Sequence, residues 1–229
     1  MADNIKEMKK KVAEDWQNAF PQLAVYAPHK YYKIVGPIIT GLELVKLPRS
    51  EDYRPHFVCY PLWKDNLKTC LDTPIILKEF YNKKGLQFSI PYAKHDTFFS
   101  DVLSAAKKQM PIPLEGDVSL KSLFSAIDEH SKTPPLSAAP NSYLQAVLQE
   151  SKLEIALCAG NDDQVQSVLS QIQKRNWDVA HFGMWKVDVN QWLKGVQEKV
   201  NNREKLVSQV KLNKQEKKLE KLYQSELKT

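Results

Sequence analysis

The stretch that most limits what this chain can become is Tyr31 to Leu47, Tyr-Tyr-Lys-Ile-Val-Gly-Pro-Ile-Ile-Thr-Gly-Leu-Glu-Leu-Val-Lys-Leu. Its β-branched and leucine-rich runs, punctuated by Gly36, Pro37 and Gly41, favour extended backbone, because branched side chains pack well on a pleated surface. Both alternating sets are largely apolar: Ile34, Ile38, Leu42 and Leu44 on one, Val35, Ile39, Val45 and Leu47 on the other. Either a strand over Tyr32 to Leu47 switches face at a bulge or bend at Gly36-Pro37, or it is buried on both sides. A short polar loop, 48–52, leads to a second strand, Tyr53 to Trp63. Pro55 and Pro61 restrict that strand to a sheet edge or to a paired centre at His56 to Tyr60. Ile75 to Tyr81, the turn Asn82-Lys83-Lys84-Gly85 and Leu86 to Ile90 read as a hairpin, with Gly85 supplying positive φ. Phe80 should face away from Leu77 and Tyr81, while Leu86, Phe88 and Ile90 share one face.

Helices flank these strands. Ile5, Met8, Val12, Trp16 and Phe20 recur at three- and four-residue spacing, which predicts an amphipathic helix over Asn4 to Phe20, ended by Pro21. A brief helical turn is expected over Lys64 to Leu71, then helices over His95 to Met110 and Ser119 to His130. All thirteen prolines lie between Pro21 and Pro140, the last three in the loop 131–140. Beyond it the chain should be mostly helical. Asn141 or Ser142 caps one helix, with Leu153 to Cys158 extending it or forming a short strand, and Gly160 stops it. Asn161-Asp-Asp163 starts another, with Val165, Val168, Leu169 and Ile172 inward. Asn176 to Asn190 is an aromatic-rich connector, Val187 to Val200 a helix, and Asn201 to Thr229 a charged helical tail. The fold class is α+β: an N-terminal helix, a four-stranded, mostly antiparallel meander and a helical C-terminal half. The organisation is either one continuous domain or a unit over 1–131, a proline-rich linker over 132–140 and a helical region over 141–229.

Composition narrows the function classes. Hydrophobic residues make up 42% of the 229, enough for a sizeable core. A net charge of +6 permits contact with nucleic acid, but acids and bases are interspersed, which mainly serves solubility. Cys59, Cys70 and Cys158 are odd in number and never spaced C-x-x-C, so neither a disulfide framework nor a cysteine zinc site is expected. The charged N-terminus lacks the apolar run of a secretion signal, and no window approaches the roughly eighteen apolar residues of a membrane helix. A cytoplasmic protein without membrane or cofactor, of bacterial type, is the expectation.

No chemical motif stands out. Phosphate-binding glycine patterns and G-x-S-x-G are absent, and the five histidines form no H-x-x-x-H pair. His95-Asp96 and Asp128-Glu129-His130 read as solvated helix ends. Cys59 sits in an apolar strand, and Cys158 lies beside a helix start without a nearby histidine. Glu43, Glu79 and His56 lie on the sheet, where a deep pocket would make them acid/base candidates. No catalytic, cofactor or metal residue is therefore assigned. Tyrosine and tryptophan are favoured at binding hot spots, so Tyr53, Tyr60, Trp63, Tyr92 and Trp185 are candidate contacts for a partner protein. The leading reading is a non-catalytic adaptor or neutralising, immunity-like protein that binds another protein. A second reading is nucleic-acid binding through the hairpin-tip lysines Lys83 and Lys84 and the tail lysines Lys211, Lys214, Lys217, Lys218 and Lys221. A third is an enzyme with its site on the open sheet face.

Overall fold

The computed structural model describes the backbone of residues 2–229 and the side chains from Ile5 onward. Helix α1, Ala2–Ala19, buries Val12 and Trp16 completely, with Phe20 just past its end. Strand β1, Ala24–Ala27, turns at Pro28-His29 into β2, Lys30–Val35, which turns at once into β3, Ile38–Lys46. Gly36-Pro37 is thus a two-residue hairpin turn and not a bulge or bend within one long strand. Gly36 takes φ +51°, the positive value that such turns need at their first central residue. Ile34, Val35, Ile38 and Ile39 are all inaccessible. The doubled apolar pattern therefore reflects burial on both faces as far as Leu44, beyond which Val45 is exposed. A Cβ at Gly41 would lie 1.9 Å from the Tyr31 carbonyl oxygen, so glycine lets β2 and β3 close up.

Strand β4, Asp52–Pro61, runs through the middle of the sheet, paired with β3 from Lys46↔Tyr53 to Ile38↔Pro61. Helix α2, Leu67–Cys70, follows behind a capping box of Asn66 and Thr69. The other side of β4 is shared. Strand β5, Ile76–Glu79, takes His56 to Cys59, and β6, Ile90–Pro91, takes Asp52 and Tyr53. Arg54 and Pro55 fall between the two, where the missing proline donor costs least. β4 is therefore interior, with its paired centre where the prolines allow one. Phe80 is buried while Leu77 and Tyr81 are exposed. The returning arm of the hairpin makes one bridge, Gln87 to Tyr81, before β6. Leu86 is exposed and Ile90 buried, so this arm swings inward and does not present one uniform face. The main strand path is β1-β2-β3-β4-β5, with β6 pairing β4 and a C-terminal strand pairing β2, so the sheet has seven strands rather than four. The surplus comes from the split of the expected first strand into β2 and β3, from the C-terminal strand, and from β1, whose sequence Ala-Val-Tyr-Ala has no alternation to announce it.

Helix α3, His95–Gln109, precedes a two-residue strand β7, Val118–Ser119, and α4, Leu120–Ser131, whose cap Ser119 accepts from the Ser122 amide. Helix α5, Tyr143–Ala159, runs unbroken through Leu153 to Cys158, from the Ser142 cap to left-handed Gly160. α6, Asp162–Lys174, is capped by Asn161. Two short caps by aspartate then start α7, Val179–Met184, and α8, Val189–Asn201, followed by α9, Arg203–Lys214. α5 is the most enclosed helix, and its buried charges are answered. Lys152 reaches Asp128 on α4 at 2.7 Å, and Lys199 on α8 reaches Glu154 at 2.5 Å and also pairs Glu150. Burial pushes the Glu154 carboxyl up, against the pull of Lys199.

The tail departs from expectation. It is helical only to Lys214. Residues after it turn, bury Leu219 and Leu222, and end as β8, Tyr223–Ser225, and β9, Leu227–Lys228. β8 pairs parallel with Lys33 to Val35, the part of the β2 edge that β1 leaves open, and β9 pairs parallel with β7. The lysine-rich run breaks the apolar register of a continuing helix, and an unpaired sheet edge offers the alternative. One apolar cluster extends from Val12 to Leu222, with a smaller one around Ala146, Trp177 and Phe182. No helix among the described residues is long and apolar enough to cross a membrane.

Candidate functional site

Four of the five aromatic candidates lie inside. Tyr53, Tyr60, Trp63 and Tyr92 are buried, and only Trp185 is exposed, at 51%. Tyr53 anchors a polar chain linking the sheet to two helices. Its hydroxyl oxygen lies 3.2 Å from Trp16 Nε1 and 2.7 Å from His95 Nδ1. An indole N–H can only donate and a carboxylate can only accept, so the Tyr53 oxygen accepts from Trp16, and with neutral His95 protonated towards Asp15 the Tyr53 hydroxyl gives its proton to Nδ1. His95 then carries its proton on Nε2 and donates it to Asp15 Oδ2 at 3.0 Å. Lys11 closes the chain, 2.7 Å from Asp15 and 2.5 Å from Asp96. His95 is thus a buried hinge-pin between α1, α3 and β4, not a solvated helix end. Burial holds its pKa below the usual histidine value despite Asp15. Burial would raise the Asp15 carboxyl, but hydrogen bonds from Lys11 and His95 outweigh it and hold it low.

Asp15, His95 and Asp96 have ligand atoms within 4.8 Å of one another. The Lys11 ammonium joins the two carboxylates and His95 Nε2 faces one of them, so the three residues together with Lys11 form an ion-pair clamp. The other acidic group resolves differently. Asp128 holds Lys152, Glu129 pairs exposed Lys132, and burial pushes His130 down. Of that trio only Glu129 is the solvated residue expected.

The sheet residues Glu43, His56 and Glu79 do come together, in one cross-strand row that continues to Lys30. Glu43 Oε1 accepts from Lys30 at 3.1 Å, from Tyr60 at 2.9 Å and from Tyr32. His56 Nδ1 donates to the Arg54 carbonyl at 3.2 Å, leaving Nε2 to accept from Gln87 at 3.4 Å. Glu79 Oε1 is 4.0 Å from that nitrogen. Glu43 and His56 are buried with their hydrogen bonds made, so this face is filled and not a deep pocket. Cys59 is fully buried, and burial pushes its thiol up; the Cys158 thiol is pushed up to about 12, also by burial. A raised pKa leaves little thiolate at neutral pH, which disfavours either as a nucleophile.

The exposed candidate sits in a different setting. Asp178 Oδ1 caps α7 through the His181 amide at 3.0 Å, and left-handed Lys186 (φ +57°) ends it. Phe182 points inward, its ring 5.3 Å from Tyr143, 6.0 Å from Trp177 and 5.4 Å from Trp192. Val179, Met184 and Trp185 are exposed, at 71%, 73% and 51%. The Trp185 ring lies 5.7 Å from Tyr143.

No family model, curated protein or solved structure matches the chain.

Val179 and Met184 were not singled out by sequence. Val179, Phe182 and Trp185 recur every three residues, a spacing that ordinarily marks one buried face. The two capping aspartates, ten residues apart, are the signal that the helix between them is too short to bury all three. The lysines are scattered. Lys83 and Lys84 are exposed at the hairpin tip; Lys211 and Lys214 lie on α9; Lys217, Lys218 and Lys221 are exposed on the turns beyond it. They form no single basic helix face, because α9 ends first.

Proposed function

We propose that this is a non-catalytic protein, of adaptor or neutralising type, which recognises another protein through the corner formed by Val179, Met184 and Trp185. The observation that carries the reading is the exposure of three large apolar side chains within seven consecutive residues, one of which, Trp185, lies against Tyr143. Surface apolar residues scattered singly need no explanation, but a cluster does. Burying each such side chain on a partner is worth about 1.5–3 kcal/mol. Trp185 rests against Tyr143 on a short, doubly capped segment, so little side-chain freedom remains to be lost on binding. The acid/base candidates of the sheet are engaged in hydrogen bonds, which favours binding over chemistry. Unpaired Cys59, Cys70 and Cys158 suit a reducing, cytoplasmic setting.

Affinity purification from the native host tests this, using the tagged full chain beside Trp185→Ser and Met184→Asp variants. The expected result is one stoichiometric protein that the wild type retains and both variants lose. Retention by the variants would exclude this corner as the interface. Recovery of no partner by the wild type would reject protein recognition as the function.

A further inference from the structure

A cleft of about 630 Å³ lies between the last turns of α9, the end of α5 and the C-terminal strands. It adjoins a second along the start of α9, the two sharing Val207 and Lys211. The first is walled by Val210, Ala159 and Leu227 as well as by Lys211 and Lys214. The two lysines are three apart on α9, so they share a face. Neither makes an ion pair among the described residues. Lysines in a last turn suit the helix dipole, which offers both Lys211 and half-buried Lys214 a partial charge but no carboxylate. Burial holds the Lys214 ammonium below its usual pKa, and no carboxylate restores it. Among the other lysines withdrawn from water, Lys152 and Lys199 have acidic partners and Lys33 has two backbone carbonyls, while Lys78, like Lys214, has no ion pair among the described residues. Ser225, in the cleft wall, has a hydroxyl without a hydrogen-bond partner. The one carboxylate in the wall is Glu226, whose residue is exposed.

We propose that this cleft binds a small organic anion, an oxyanion headgroup held by Lys214 and Lys211 with an apolar body against Val210, Ala159 and Leu227. The cysteine that shares the cleft, Cys158, is a neutral thiol and adds apolar surface without competing charge. A bare inorganic ion would answer the lysines but leave the apolar floor wet. A neutral ligand would cover the floor and leave Lys214 unanswered. The site is separate from the Trp185 corner and stands without it.

Calorimetric titration of the full chain with octanoate, octyl phosphate, octanol and inorganic phosphate tests the assignment. Octanoate or octyl phosphate should bind at least about tenfold more tightly than octanol or inorganic phosphate. Whichever of the two is preferred names the headgroup as carboxylate or phosphoryl. Lys214→Met should weaken that binding by about tenfold or more without lowering the thermal midpoint, because it removes a half-buried charge that has no carboxylate partner. Lys211→Met, at an exposed position, should weaken it less, and Lys83→Met not at all. Octanol binding as tightly as octanoate, unchanged affinity in both cleft variants, or no binding of either anion at millimolar concentration would overturn the proposal.

Discussion

Tyr53 and Trp185 belong to the same class of side chain and meet opposite fates. Tyr53 lies on a central strand where Trp16 and His95 converge on its hydroxyl, so its apolar ring and its polar end are both satisfied indoors. Trp185 follows a six-residue helix whose single inward position is taken by Phe182. What separates them is the geometry of the supporting element. A strand paired on both sides offers room above each face for a ring and for the groups that answer it. A helix of fewer than two turns has one inward position, and its neighbours must face water. Aromatic content alone therefore does not mark an exposed ring; the length and capping of the segment that carries it does.

The comparison can be broken most severely at its buried end. Tyr53→Ala should cost about 3–5 kcal/mol, since it opens a cavity and strands both Trp16 Nε1 and His95. Urea unfolding followed by circular dichroism measures this, and a loss below about 1 kcal/mol would mean that the ring is not a core residue.

Acidification tests the same node through its histidine. Burial depresses the folded-state pKa of His95, and likewise of His29, His56 and His130. Below about pH 6.5 the unfolded chain therefore binds more protons than the folded one, so stability is full above that value and falls as pH drops towards the depressed folded values. Stability measured from pH 7.5 to 5 should decline, and His95→Gln should make the decline shallower. A pH-independent midpoint across that range would contradict the buried, neutral imidazoles. The Asp15 contribution, lost only below the ordinary aspartate pKa near 3.8, lies outside this window.

A milder change sharpens the picture at the filled sheet face. Tyr60→Phe keeps the ring but removes the donor to Glu43, leaving Lys30 and Tyr32 on that oxygen. It should cost about 1–2 kcal/mol. Equal stability of this variant and the wild type would mean that water replaces the hydroxyl.

Much of this architecture is legible in the sequence, for reasons that are local. Ser119, Ser142, Asn161 and Gly160 fix helix ends by capping, a matter of three or four neighbouring residues. The hairpin at Asn82 to Gly85 follows from one glycine. What escapes is whatever depends on a distant partner. β8 and β9 exist because the β2 edge and β7 are free to pair, and nothing within Tyr223 to Lys228 says so. The contact of His95 with Asp15 and Tyr53 joins three elements, and no spacing rule brings them together. Gly36-Pro37 was ambiguous for a different reason: the same two residues serve a bulge and a hairpin turn, and only the pairing of Val35 with Ile38 decides. Among the candidate contacts, sequence could nominate Trp185 but could not separate it from four tyrosines and tryptophans that the core absorbs.

The smallest expected effect on stability is also the most direct test. Trp185→Ala should be measured twice, for unfolding free energy and for affinity towards the captured partner. The account predicts a stability change within about 0.5 kcal/mol together with a loss of at least about thirtyfold in affinity, as for a hot-spot residue. A variant that unfolds more than about 1 kcal/mol more easily while binding the partner as tightly as the wild type would show that Trp185 supports the fold and does not make the interface.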